Sequence, residues 1–452
     1  MNAVLVAVIV MLVLSVCRVH VVLSLFIGAL VGGLLSGMGL DATMVAFQEG
    51  LSGGAKIALS YALLGAFAMA VASAGLPRLL AEFIIGKLGV ENEQTKATTI
   101  AVTKWLMLAG ILAMAIMSQN LIPVHIAFIP LIIPPLLSIF NRLRIDRRLV
   151  VCIMTFGLVT TYMWIPLGFG SIFLNDILLG NINNAGMDTT GINIMSVMAI
   201  PALGMFIGLL IAVFFSYRKP REYAEKPIEG LKKTDADEPI SRYKIVVSLV
   251  AILATFAVQI IMQTQDTEAD SLLIGALVGL AIFLLTGAVN WKEADDVFTG
   301  GMKMMALIGF IMITAQGFAA VMSASGEVES LVSTSADLFA GNKVAAAFAM
   351  LLVGLVVTMG IGSSFSTLPI IATIYVPLCA AMGFSPAATV AIIGTAGALG
   401  DAGSPASDST LGPTAGLNAD GQHDHIRDSV IPTFLHFNIP LLLAGWVAAM
   451  IL

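Results

Sequence analysis

Asp401 and Asp408 stand seven positions apart in the stretch Gly400-Asp-Ala-Gly-Ser-Pro-Ala-Ser-Asp-Ser-Thr410, which is flanked on both sides by apolar runs. Gly403 and Pro405 between them predict a broken helix, with backbone carbonyls left free beside the carboxylates. Such a gap suits a sodium ion, a hard cation that takes oxygen ligands. Asp401, Asp408 and the hydroxyls of Ser404, Ser407, Ser409 and Thr410 would supply them. A carboxylate in this setting could also exchange a proton for the cation. The alternative is that one aspartate only caps the N-terminus of a half-helix.

Two further clusters carry short polar side chains at helix breaks. Ser118, Gln119 and Asn120 form one, and Ser363, Ser364, Ser366 and Thr367 the other. Exposed N–H groups at such breaks attract carboxylates, so an amino acid's carboxylate fits them. The alternative is that the side chains only satisfy the turn. Tyr162 and Trp164 could stack on a solute or pack in the core. His125, between Pro123 and Pro130, could relay protons or be a hydrogen-bonded structural residue. His423 and His425 fall in a polar loop with Asp424, Arg427 and Asp428, which reads as solvated. No metal beyond Na⁺ and no cofactor is expected.

The elements that hold these residues must lie in a bilayer. Of 452 residues, 58% are hydrophobic and 11% charged, against about 25% charged in soluble domains, and mean hydropathy is +0.98. In a hydrocarbon core, irregular backbone and ionisable groups survive only where protein or a water-filled cavity covers them, which marks an ion or solute path. Cys17, Cys152 and Cys379 are scattered through apolar runs and suggest neither disulfides nor a metal site. Arg18 follows the first apolar run, the reverse of the order in a secretory signal, so that run reads as a membrane helix. No motif of a hydrolase, nucleotide-binding loop or metalloenzyme is present, so an enzyme is not expected. An ion channel remains an alternative, although a continuous pore has no need of buried acids in broken helices.

The predicted organisation is all-α and polytopic, with two inverted-topology repeats. Each holds a re-entrant hairpin and a broken helix. The first repeat covers 1–216, with a hairpin at about 98–140 and a broken helix at about 149–173. The second covers 244–452, with a hairpin at about 343–383 and a broken helix at about 386–417. Other spans include 20–38, 54–75, 271–289 and 302–323. The mixed-charge, proline-containing segment 217–243 reads as a linker. Placing it in the cytoplasm puts 18 of the 22 Lys and Arg on that side and the N-terminus outside. The bilayer would then be a bacterial cytoplasmic membrane.

A weak internal repeat supports the division. Phe47, Gly50, Phe67, Ala68 and Gly75 match Phe298, Gly301, Phe318, Ala319 and Gly326, all at an offset of 251. Further on, Ser118 and Pro123 match Ser364 and Pro369. The first break, Trp164–Ser171, has no acid, so the second half is expected to hold the main cation site. Inverted repeats with broken helices are an architecture of secondary transporters, with the solute site near the midplane.

Four segments resemble the NhaC-type Na⁺/H⁺ antiporter family, in its YuiF-like branch within the ion transporter superfamily. They are SQNLIPVHIAFIPLIIPPLL at 118–137, GIGSSFSTLP at 360–369, GDAGSPASDSTLGPTAGLNADGQHDHIRDS at 400–429 and IPTFLHFNIPLLL at 431–443. The resemblance implies hairpin tips that bind solute and sodium, alternating access and a homodimer. The family label implies Na⁺/H⁺ antiport, while the branch implies an amino-acid carrier, with histidine the favoured solute. Both versions stay open on the sequence. Lipid and a small solute or ion are the expected partners, with no nucleic acid.

Overall fold

The computed structural model describes residues 2–76, 79, 93–120, 128–226, 241–265, 269–328, 330–331, 341–361 and 364–452, and every regular element among them is helical. Seven helices among the described residues are long and apolar enough to cross a membrane, so the chain is a multi-pass membrane protein. Many helices start on a polar residue left at the end of an apolar run. Asn2, Asp146, Asn193, Asp270, Asn290 and Ser385 each accept a backbone N–H from the first turn.

The first half contributes α1 (Ala3–Val16), α2 (Val21–Leu35), α3 (Gly39–Ser73), α4 (Glu93–Asn120), α5 (Phe128–Arg142), α6 (Arg147–Val159), α7 (169–184) and α8 (Ile194–Ser216). The second contributes α9 (Arg242–Thr264), α10 (Ser271–Leu285), α11 (Trp291–Ala324), α12 (Lys343–Ile361), α13 (Ser364–Ala381), α14 (Pro386–Ala398), α15 (Asp408–Leu417) and α16 (His425–Ile451). Residues 121–127, 227–240 and 362–363 lie outside the description, and His125 and Ser363 with them.

The longest elements, α3 with 35 residues and α11 with 34, would each reach about 50 Å. They pack against each other over much of that length. Both begin earlier than hydropathy predicts, at 39 instead of 54 and at 291 instead of 302. Their opening turns carry Gln48, Glu49, Lys292, Asp295 and Asp296 on an exposed face while Ala46, Phe47 and Ala294 are buried. A hydropathy average over such a turn hides its buried stripe. The two helices run antiparallel and meet at glycines. A Cβ on Gly50 would lie 2.5 Å from the Gln316 carbonyl and 2.9 Å from Gly317, and one on Gly301 would strike Gly65 and Ala66. Adding 251 to 50, 65 and 66 gives 301, 316 and 317, so the crossing maps onto itself at the offset read from the sequence.

Around this pair the helices fall into α1–α2 and α9–α10 hairpins and a unit of paired and interrupted helices. In that unit α4 packs on α6, α12 and α13 pack on α14, and α15 packs on α5 and α6. Two of these helices are followed by interruptions. The first is interrupted at 160–168 between α6 and α7, and the second at 399–407 between α14 and α15. The second gap is shorter than the Gly400–Gly416 stretch suggests, because the helix resumes at Asp408 in spite of Pro413 inside it. Proline cannot donate to the carbonyl four residues back. That carbonyl, on Ser409, instead accepts the hydroxyl of Thr155 on α6 at 3.0 Å.

Candidate functional site

The second gap opens at Gly400, whose φ of +90° is left-handed and easy only for glycine. Its N–H donates to Asn438 Oδ1 at 3.0 Å, which turns the chain so that Asp401 begins the interruption. Both carboxylate oxygens of Asp401 are met by hydroxyls. Ser407 donates to Oδ1 at 2.5 Å. Ser409 donates to Oδ2 at 3.3 Å, and Tyr162 donates to Oδ2 at 2.7 Å. Tyr162 comes from the first interruption and is buried, with its ring edge-on to Phe169 and Phe173. Because its proton goes to Asp401, Ser364 Oγ, 3.1 Å from Tyr162 Oη, acts as the donor in that pair. Both interruptions and the starts of α13 and α15 thus converge on one carboxylate. Three hydroxyl donors replace the water it loses on burial.

Asp408, the first residue of α15, is half-buried, and no hydrogen bond reaches its side chain among the described residues. It lies within electrostatic range of Asp401 and of Tyr61 on α3. Tyr61 is 1% exposed and its hydroxyl has no hydrogen-bond partner among the described residues. Ser404 and Thr410 do not point at the carboxylates. Thr410 Oγ1 bridges the carbonyls of Ser404 and Ser407, and Ser404 Oγ reaches the Met359 carbonyl at 3.4 Å. They brace the shape of the gap.

In the first half, Asn120 Nδ2 donates to the carbonyls of Thr161, Ile165 and Leu167 at 3.1–3.3 Å. It ties the end of α4 to the first interruption. Ser118 Oγ bonds back to the Ala115 carbonyl, the turn-satisfying role. Gln119 and Thr367 are fully buried. Ser366 lies on α13, with its side chain outside the description. Trp164 donates from Nε1 to the Met195 carbonyl on α8 and is not part of the group around Asp401.

The linker end of the molecule holds residues that hydropathy reading missed. Arg147, fully buried, forks onto Asp420 with contacts of 2.6 and 2.5 Å and also donates to the Leu417 carbonyl and to Asn141. Tyr223 lies against its guanidinium at 4.3 Å and accepts the Arg147 N–H. Arg221 bonds Asp428 at 2.9 Å. Burial alone would raise Asp420, but the hydrogen bonds and charge of Arg147, with Gln422, hold it below the ordinary carboxylate range. In the sequence, Arg147 is one of four arginines in a row of seven residues and looks like any interfacial cluster. The expected solvated loop at 423–428 is corrected by the structure. His423 and His425 are 2% and 7% exposed, because Thr414 and Ser429 offer hydroxyls that take them inside. Burial pushes His423 down to about 3.

A model of the Na⁺/H⁺ antiporter family matches residues 153–446, and a second model with that description matches residues 2–88. An uncharacterized membrane protein of Vibrio parahaemolyticus is 53% identical over the full length of both chains. A protein of Bacillus subtilis named "Putative amino acid transporter YuiF" is 49% identical, again over 100% of both. Among solved structures, the Alcanivorax borkumensis YdaH transporter overlays with a TM-score of 0.39 at 15% identity, covering 91% of this chain and 88% of its own. Neisseria gonorrhoeae MtrF, from a class of antimetabolite efflux pumps, gives 0.39 at 14%, covering 92% and 85%.

Proposed function

We propose that this transporter, which belongs to the Na⁺/H⁺ antiporter family, is a secondary carrier that moves a small amino acid such as histidine, coupled to Na⁺ or H⁺. The observation that carries the reading is the seat at Asp401. A half-buried carboxylate meets hydroxyls of Ser407 and Ser409 from its own interruption and of Tyr162 from the other half. All these ligands are oxygens, the donor set for a hard cation. Ser364, at the start of α13, touches the same tyrosine, so a solute held at the hairpin tips would be felt at the cation seat. Asp408, near but unbonded, is the second acid of the pair and the group free to respond when the ion leaves. The name of the Bacillus relative supports an amino-acid cargo.

The architecture behind the proposal is a pair of inverted repeats, supported by the self-mapping crossing of α3 and α11. In it the α4–α5 and α12–α13 pairs are re-entrant hairpins, and access alternates around them. The linker lies in the cytoplasm of a bacterial inner membrane with the N-terminus outside, and the protein works as a homodimer. A pure Na⁺/H⁺ antiporter is the second reading, favoured because the ligands around Asp401 need no organic group to complete them.

Uptake of labelled histidine into proteoliposomes, with Na⁺ and pH gradients imposed separately, decides between them. Saturable, gradient-driven histidine uptake is the expected result. Sodium-driven proton movement with no organic solute and no histidine uptake would replace it with the antiporter.

A further inference from the structure

The second interruption has an anchor besides Asp401. The Pro405 carbonyl, in its middle, lies 2.9 Å from His425 Nε2. A carbonyl only accepts, so Nε2 carries the proton and Nδ1 is bare. Thr414 Oγ1 lies 2.9 Å from Nδ1 and also reaches the Thr410 carbonyl at 2.8 Å. Thr414 in turn lies 2.7 Å from Ser429 Oγ, which lies 2.8 Å from His423 Nε2. The chain of contacts therefore runs from the loop after α15 into the gap, through side chains that are all buried.

The same imidazole borders a cavity of about 610 Å³. Arg18 and His20, from the turn between α1 and α2, Leu307 and Ile311 of α11, and His423 and His425 line it. His425 thus lines the cavity and also reaches the Pro405 carbonyl, whose residue is not among those lining it.

We infer that His425 is a positioning residue that partitions this cavity from the cation seat, holding the Pro405 carbonyl so that Ser407 stays on Asp401. The inference rests on reading Asp401 as the seat. Its reach along the chain is short. Pro405 is two residues from Ser407, and Ser404 Oγ accepts the Ala406 N–H while Thr410 holds the Ser404 carbonyl. These bonds make 404–407 one stiff unit. If the imidazole is removed, a buried carbonyl beside a cavity has lost its donor, and water entering from the cavity is the natural replacement.

The test combines accessibility and transport. In a Cys17→Ser chain, Ala406→Cys places a thiol at a position 8% exposed. It is expected to resist a membrane-impermeant maleimide supplied from the linker face. Adding His425→Ala should speed labelling about tenfold and weaken the apparent affinity for the coupling ion about tenfold, the worth of one buried hydrogen bond. His425→Gln, whose amide N–H can still reach Pro405, should restore both. Unchanged labelling and ion affinity in His425→Ala overturns the inference. Should that variant fail to reach the membrane, Thr414→Val carries the test, with a smaller shift expected and no shift overturning it. If Asp401→Asn leaves ion dependence unaltered, the seat reading fails, while the labelling result still decides whether His425 holds Pro405.

Discussion

Tyr162 Oη and Asp401 Oδ2, 2.7 Å apart, join the two halves of the chain through a single proton. The phenol donates, the carboxylate accepts, and 239 residues of sequence separate them. Tyr162→Phe keeps the ring contacts with Phe169 and Phe173 and deletes this donor, together with the acceptor that Ser364 uses. A hydrogen bond to a charged group is worth about 1.5–3 kcal/mol, so apparent affinity for the coupling ion should weaken by about ten- to a hundredfold. Ion titration of uptake in proteoliposomes measures it, and an unchanged midpoint would remove Tyr162 from the seat.

Asp408→Asn conserves shape and keeps the α15 backbone start, since Ser407 caps that helix through the Ser409 N–H. Coupled transport should be abolished while the protein still accumulates in the membrane at wild-type level. Uptake normalised to membrane abundance reads both. Normal transport by this variant would exclude Asp408 from the mechanism.

At the linker end, Asp420→Asn leaves Arg147 buried without its counter-charge, and breaking a buried pair costs about 3–5 kcal/mol. The pH dependence has a definite sign. Asp420 is held below its unfolded range, so its contribution is present above that range and lost as pH falls through the folded value. The thermal midpoint in detergent should fall for the variant at pH 7, and the gap to wild type should close only in strongly acidic buffer. An equal gap at every pH would show that the charge is not what holds this end.

His423 gives a separate acid effect. It is buried neutral and pushed down to about 3, against about 6.5 unfolded. Its contribution is therefore full above that unfolded value and drains away as pH drops from it towards 3. His423→Gln should flatten the melting-temperature curve across that window. A wild-type curve already flat there would show the imidazole to be hydrated.

Gly50 and Gly301 occupy matching places in the α3–α11 crossing, so Gly50→Val and Gly301→Val should be similarly damaging. Overpacking of this kind costs about 1–3 kcal/mol or more where backbone is the neighbour. Detergent melting of the two variants should show comparable losses. A large loss in one and none in the other would break the symmetry of the contact.

Much of this was legible in the chain, for identifiable reasons. Asp401 stood out because an acid among glycine, proline and serine inside apolar runs has few other uses. The 251 offset was visible because glycines at a helix crossing resist replacement by anything with a Cβ. Tyr162 was visible only as an aromatic near a break, since its partner is set by tertiary folding. His423 and His425 were misplaced in solvent because polarity of a segment reports average exposure, and two hydroxyls elsewhere decide where an imidazole goes. The openings of α3 and α11 were missed for the same kind of reason, since charges on one face mask burial on the other. Arg147 gave no signal, because a buried arginine and an interfacial one are spelled alike.

The fork between Arg147 and Asp420 has a consequence for how the polypeptide could be divided. It fastens a residue of the first half to one of the second, and Arg221 and Tyr223 reinforce it from the near end of the connecting segment. Severing the backbone within 227–240 removes none of these contacts. Two separately translated fragments, ending and beginning there, should find each other in the membrane and rebuild the carrier, with covalent continuity supplying only a higher local concentration.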